Sequence, residues 1–131
     1  MELPPALAIV EAMLEGFVMS NVLLIEAGLA PPSPLDADVR YQREASGLEE
    51  WNMCIYVQRF KRGDCEDLNG WAAAGMRVTG EDPGARAVLK RTGRHMFHCL
   101  VLLSSGQTYD VCPTLGMTSR RRASHELPGR R

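Results

Sequence analysis

The apolar pattern of this chain changes period once, across Gly80-Glu81-Asp82-Pro83-Gly84. Before that break apolar residues recur at three- and four-residue spacing, as on helices. After it they alternate or run together in short stretches, as in strands. Helices first and strands last, within 131 residues, predict one α+β domain in which N-terminal helices precede a small antiparallel sheet packed on the last helix. A chain of that length buries roughly two-thirds of its unfolded surface, enough for a core of its own.

The first helix is expected over residues 5–28. Leu7, Val10, Met13, Leu14, Phe17, Val18, Leu24 and Ile25 form its apolar face, Glu11 and Glu15 its outer side, and Gly28 its stop. Ala30-Pro31-Pro32-Ser33-Pro34 then breaks the chain. Residues 1–34 thus form a helix and connector, residues 40–117 the core, and 118–131 a basic tail. Residues 36–45 read as a short helix or an extended arm. A second helix is expected over 47–61, with Leu48, Trp51, Ile55 and Phe60 apolar and Gly63 as its stop.

Asp64 is a favourable N-cap for a third helix over 65–79. Cys65, Leu68, Trp71, Ala72, Gly75 and Met76 fall on one side of it, and Gly75 allows a close neighbour. Strands are expected over Ala85 to Lys90, Met96 to Leu103 and Gln107 to Val111. The second is apolar on both faces and therefore central.

A net charge of −1 gives no electrostatic basis for binding nucleic acid. The start, Met1-Glu2-Leu3-Pro4-Pro5, lacks the basic region of a signal peptide. The longest uncharged apolar run, Gly16 to Ile25, falls short of the roughly 20 residues that span a bilayer. These features point to a cytoplasmic protein with no membrane span. The four cysteines, at irregular spacing, then read as free thiols.

The chemistry concentrates at Gly63-Asp64-Cys65-Glu66-Asp67-Leu68. A cysteine at a helix N-terminus has unpaired N–H groups and the positive end of the helix dipole beside it, and both favour a thiolate. Those amides can also hold an oxyanion. His98 and Asp110 lie on adjacent strands. If the hairpin pivots on Ser105, Asp110 stands opposite Leu100, on the face of His98 and diagonal to it. A two-residue turn at Ser105-Gly106 would shift the register and send Asp110 to the other face. Cys65 as nucleophile, His98 as base and Asp110 as orienting acid form a triad. Gln58 is the polar side chain expected to donate to the oxyanion, with Tyr56 and Trp51 behind it. His95 reads as surface, His125 as part of the tail, and Cys54 and Cys99 as core. Cys112 follows Asp110 by two and so shares its face by parity.

Asp64, Glu66 and Asp67 oppose this chemistry, because carboxylates beside a thiol raise its pKa. Two readings follow. Either they cap the helix and fill its first turn, or they hold a hard, oxygen-binding cation such as calcium.

The hexapeptide, the run His98-Cys99-Leu100-Val101 and the stretch Tyr109-Asp110-Val111-Cys112-Pro113-Thr114 together resemble the bacterial transglutaminase-like cysteine peptidases of the papain-like superfamily. The resemblance covers residues 40–117. It implies a papain/transglutaminase-like core and a Cys65-His98-Asp110 triad that hydrolyses amide or peptide bonds in a protein or peptide substrate. Members with this acidic flank include calcium-dependent periplasmic proteases, which implies a calcium site at Asp64, Glu66 and Asp67. The end of the stretch, through Leu115-Gly116-Met117, resembles small phage-encoded members, with Val111 and Cys112 standing between the aspartate and Pro113.

Two rivals remain. A metal site from Cys65, Cys99, Cys112 and a histidine lacks the closely paired ligands of structural zinc sites. The other is a non-enzymatic phage virion or assembly protein that keeps the fold and docks other phage structural proteins through its first helix or basic tail.

Overall fold

The computed structural model describes residues 5–43, 51–94 and 96–118, and it is an α+β assembly of three helices and two small sheets. Helix α1 (Pro5–Glu26) comes first. A 3-10 turn (Pro34–Asp36) and strand β1 (Arg40–Tyr41) follow, then α2 (Cys54–Phe60), β2 (Arg62–Gly63) and α3 (Cys65–Thr79). Strands β3 (Arg86–Gly93), β4 (Met96–Leu102) and β5 (Thr108–Tyr109) form an antiparallel sheet in the order β3-β4-β5. β1 and β2 pair in parallel, Tyr41 against Gly63.

α3 is the centre of the molecule. Asp64 caps it and Asp67 completes a capping box, while Gly80 closes it in the left-handed region at φ 82°. The expected one-sided burial is too narrow. Leu68, Trp71, Ala73 and Ala74 are all buried, and so are Asn69 and Gly70. The helix is covered all round because α1, the sheet and the Pro-rich connector each take a face. Trp71 Nε1 donates to Pro31 O at 2.8 Å, and a Cβ on Gly75 would overlap the Pro32 carbonyl oxygen.

α1 ends at Gly28, where Gly28 N donates to Ile25 O and Leu29 N to Leu24 O in a Schellman closure. Leu14, Phe17, Val18, Val22 and Ile25 are buried as their spacing requires. The other side departs from expectation. Glu11 Oε2 accepts the Leu89 N–H of the edge strand β3 at 2.9 Å, and Glu15 forms a paired ion contact with Arg77 at 2.7 and 2.8 Å. The glutamates thus turn toward the protein, whereas Ile9, Met13 and Leu23 are 63%, 58% and 62% exposed. By length and composition α1 could cross a membrane, with 33% of its apolar window buried against the domain.

Further boundaries shift, among them the first strand of the hairpin, which runs Arg86–Gly93 where Ala85 to Lys90 was expected. The second helix starts at Cys54, with residues 51–53 extended; Leu48 lies outside the described residues. Lys61, at φ 65°, closes α2 rather than Gly63. Gly63 serves by its size, since a Cβ there would lie 2.9 Å from Asp67 Cβ. The arm at 36–45 resolves, through residue 43, into the end of the 3-10 turn and β1. The last strand covers Thr108–Tyr109 only.

Candidate active site

The hairpin turns on Ser105. Val101 pairs with Tyr109 and Leu102 with Thr108, Leu103 N donates to Gln107 O, and Gly106 takes φ 93°. A three-residue loop closed by a left-handed glycine sets this register. Continued by one residue, it sets Asp110 across from Leu100 and diagonal to His98. His98 Nε2 lies 2.7 Å from Asp110 Oδ2, both side chains about one-fifth exposed. Burial pushes the Asp110 carboxyl upward. Hydrogen bonds from His98, Asn69 and the Cys112 N–H outweigh it and hold the carboxyl at about 2. An ionised Asp110 assigns the shared hydrogen to Nε2, so Nδ1 of the neutral ring is the free base.

Cys65 opens α3 and comes to the same strand. Cys99 N donates to Cys65 Sγ at 3.4 Å, so the sulfur rests on the peptide that joins His98 to Cys99. The thiol itself points to Glu66 Oε1 at 3.5 Å. Burial first, then the charges of Glu66 and Asp64, push its pKa well up, against the Cys99 N–H that favours the thiolate. The resting state is a protonated thiol whose hydrogen is held by Glu66. The thiol makes no hydrogen bond to the His98 ring; its contacts are Glu66 Oε1 and the Cys99 N–H.

Asn69 ties these parts together, and sequence reasoning missed it. It lies one helical turn after Cys65 and is fully buried. In a continued β4–β5 ladder, Val111 N–H would bond to Cys99 O. Instead Val111 N donates to Asn69 Oδ1 at 3.0 Å, and Asn69 Nδ2 donates to Cys99 O at 2.9 Å. The carboxamide is inserted into that ladder bond. The same Nδ2 donates to Asp110 Oδ1 at 2.9 Å. The signal available was a lone asparagine four residues after the cysteine, in an otherwise apolar helix.

Tyr41 was also missed. Paired with Gly63, it is half-buried near the site. Burial and, after it, the negative charge of Cys65 and Cys112 in their ionised forms raise its pKa to about 12, so it stays a hydroxyl donor.

The acidic flank separates by role. Asp64 Oδ1 accepts Asp67 N, and Asp67 accepts Asn52 N at 2.7 Å and Asn52 Nδ2 at 3.3 Å. Asp67 is buried, which raises its pKa to about 6 despite those bonds. Asp64, Glu66 and Asp67 are not brought together as ligands, and no three His, Cys, Asp or Glu side chains converge on a metal position among the described residues. Gln58 is exposed on α2 and makes no hydrogen bond to Cys65, His98 or Asp110. Cys54, Cys65, Cys99 and Cys112 are all buried free thiols. His95, His125 and the basic tail lie outside the described residues.

The site therefore holds a thiol at a helix N-terminus, a histidine whose Nε2 is fixed by an ionised acid, and an amide that locks acid and strand to the thiol's helix. No family model matches the chain, and no curated protein or solved structure is significantly similar to it.

Proposed function

We propose that this protein is a transglutaminase-like thiol hydrolase that cleaves an amide or peptide bond through a Cys65 thioester. The observation that carries the reading is the 2.7 Å contact of His98 Nε2 with Asp110, on a strand whose next peptide N–H holds the Cys65 sulfur at 3.4 Å. In the reaction His98 Nδ1 takes the thiol proton and the sulfur attacks the carbonyl carbon. The Cys65 N–H at the start of α3 faces the developing oxyanion, and the Tyr41 hydroxyl is a nearby donor. His98 returns its proton to the leaving nitrogen as the C–N bond breaks. Water, deprotonated by His98, then attacks the thioester and releases the acid and the thiol.

A second reading is a non-enzymatic phage virion or assembly protein that keeps the fold. It is favoured by the exposed apolar face of α1 at Ile9, Met13 and Leu23, which is suited to another protein surface.

Labelling with an iodoacetamide probe separates the two, using wild type and His98→Ala with and without calcium. The hydrolase reading expects His98-dependent labelling of Cys65. Labelling no faster than that of a free thiol, or fast labelling unchanged in His98→Ala, would overturn it. Calcium dependence of the rate would place the acidic flank on the side of a cation site.

A further inference from the structure

One member of the acidic flank makes no capping hydrogen bond. Asp64 caps α3, and Asp67 closes the capping box and holds Asn52. Glu66 does neither. It is partly exposed, and its hydrogen bond is to the nucleophile itself, Cys65 Sγ to Oε1 at 3.5 Å. The groups that act on the sulfur from other elements are Tyr41 on β1, Cys99 on β4 and Cys112 beyond β5, while His98 on β4 and Asp110 beyond β5 pair with each other. Among the described residues the positive charge nearby comes from Arg43, which acts on Tyr41, and from His98, which Asp110 holds. Among those residues no cation is paired with Glu66, so a thiolate would form beside an unneutralised carboxylate.

We propose that Glu66 is a specificity-determining residue: it receives a positively charged group of the substrate next to the scissile carbonyl, and without that group it holds Cys65 as the thiol. The inference rests on the thiol-hydrolase reading and names the substrate class for that site. An ammonium or guanidinium bound to the Glu66 carboxylate takes the oxygen that now accepts the thiol hydrogen. The S–H is then free to turn to His98 Nδ1, and the new cation stabilises the thiolate. Asp64 and Asp67 cannot substitute, because their oxygens accept N–H groups that shape the helix start. Binding of a basic substrate and activation of the nucleophile become one event.

The test has two arms, both on the full chain. In the first, the rate of iodoacetamide alkylation at Cys65 is followed against pH, with the labelled peptide identified by mass. Glu66→Gln is expected to label about ten-fold faster near pH 7, the effect of one pKa unit. Glu66→Lys, which supplies its own cation, should label at least as fast. Equal rates in all three proteins would overturn the latch. If calcium chloride alone brings wild type to the Glu66→Gln rate, the cation is a metal and the substrate assignment falls.

In the second arm, kcat/KM is compared for peptide amides with arginine, norleucine or glutamate before the scissile bond. Wild type should favour arginine over norleucine by about ten-fold, as for one charge-assisted hydrogen bond. Both variants should lose that preference. A preference absent from wild type, or retained in Glu66→Gln, would overturn the proposal while leaving the hydrolase reading intact. Turnover of none of the three would remove that reading, and the substrate assignment with it. The alkylation arm decides the latch independently.

Discussion

Asn69 Nδ2 donates to Asp110 Oδ1 at 2.9 Å, so the carboxylate that orients His98 is itself held by the helix that carries Cys65. Its partners stand 30 to 43 residues away in sequence, yet they meet one buried amide. Asn69→Ser should therefore strand the Val111 N–H and the Cys99 carbonyl and release Asp110. The expected loss is about 2–4 kcal/mol of stability, with slower alkylation of Cys65. Urea denaturation together with the labelling rate checks both, and an unchanged midpoint would contradict the role given to the amide.

Asp110→Asn removes the charge that assigns the hydrogen to Nε2. The ring can then take the other tautomer, with its hydrogen on Nδ1, and cease to be a base toward the thiol. His98-dependent labelling of Cys65 should fall about ten-fold or more, while the far-ultraviolet spectrum stays native. Wild-type labelling in that variant would mean that Asp110 has no part in the site.

Asp67 predicts a pH dependence with a definite sign. Its folded pKa, near 6, lies above the value of about 4 in an unfolded chain. Between these limits the folded protein binds more protons than the unfolded one, so stability falls as pH rises. The contribution is complete below about pH 4 and gone above pH 6, and is on the order of 3 kcal/mol. Asp110, lowered to about 2, acts in the opposite sense, and its contribution disappears as pH falls from about 4 through 2. The wild-type curve, minus that of Asp67→Asn measured in parallel, should slope downward from pH 4 to 6. A flat difference would contradict the buried carboxyl.

Two glycine substitutions should move stability in opposite directions. Gly75→Ala drives a methyl group into the Pro32 carbonyl and should cost about 3 kcal/mol or more. Gly16→Ala meets nothing within 4 Å inside α1 and should gain about 0.5–1 kcal/mol from helix propensity alone. Thermal melts of the two variants and wild type provide the comparison.

The parts of this fold that are legible in the sequence are those set by short-range chemistry. α3 starts at Cys65 because Asp64 and Asp67 exchange hydrogen bonds three residues apart, and it stops at Gly80. Strand parity puts His98 and Asp110 on one face only for the longer of two turns that Ser105-Gly106 allows, and the structure takes that turn, with Gly106 in the left-handed region. What was not legible depends on remote partners. Asn52 turns toward Asp67 and so stays out of the second helix. Glu11 and Glu15 resemble a solvated face until Leu89 and Arg77 arrive beside them. Asn69 has the composition of a surface residue, and only the missing ladder bond between Cys99 and Val111 gives it a reason to be buried.

The inserted carboxamide of Asn69 also has a consequence for biogenesis. Cys65 and Asn69 belong to a helix that can form early from local contacts, whereas the Cys99 carbonyl and the Val111 amide meet that side chain only after the last strands have docked. Until then the imidazole has no fixed partner, and the sulfur lacks the strand amide that favours its anion. A nascent or half-unfolded chain therefore carries Cys65 as an ordinary solvated thiol, without the burial that raises its pKa in the folded state. Docking of the last strands replaces that loose thiol with one whose proton is held in place.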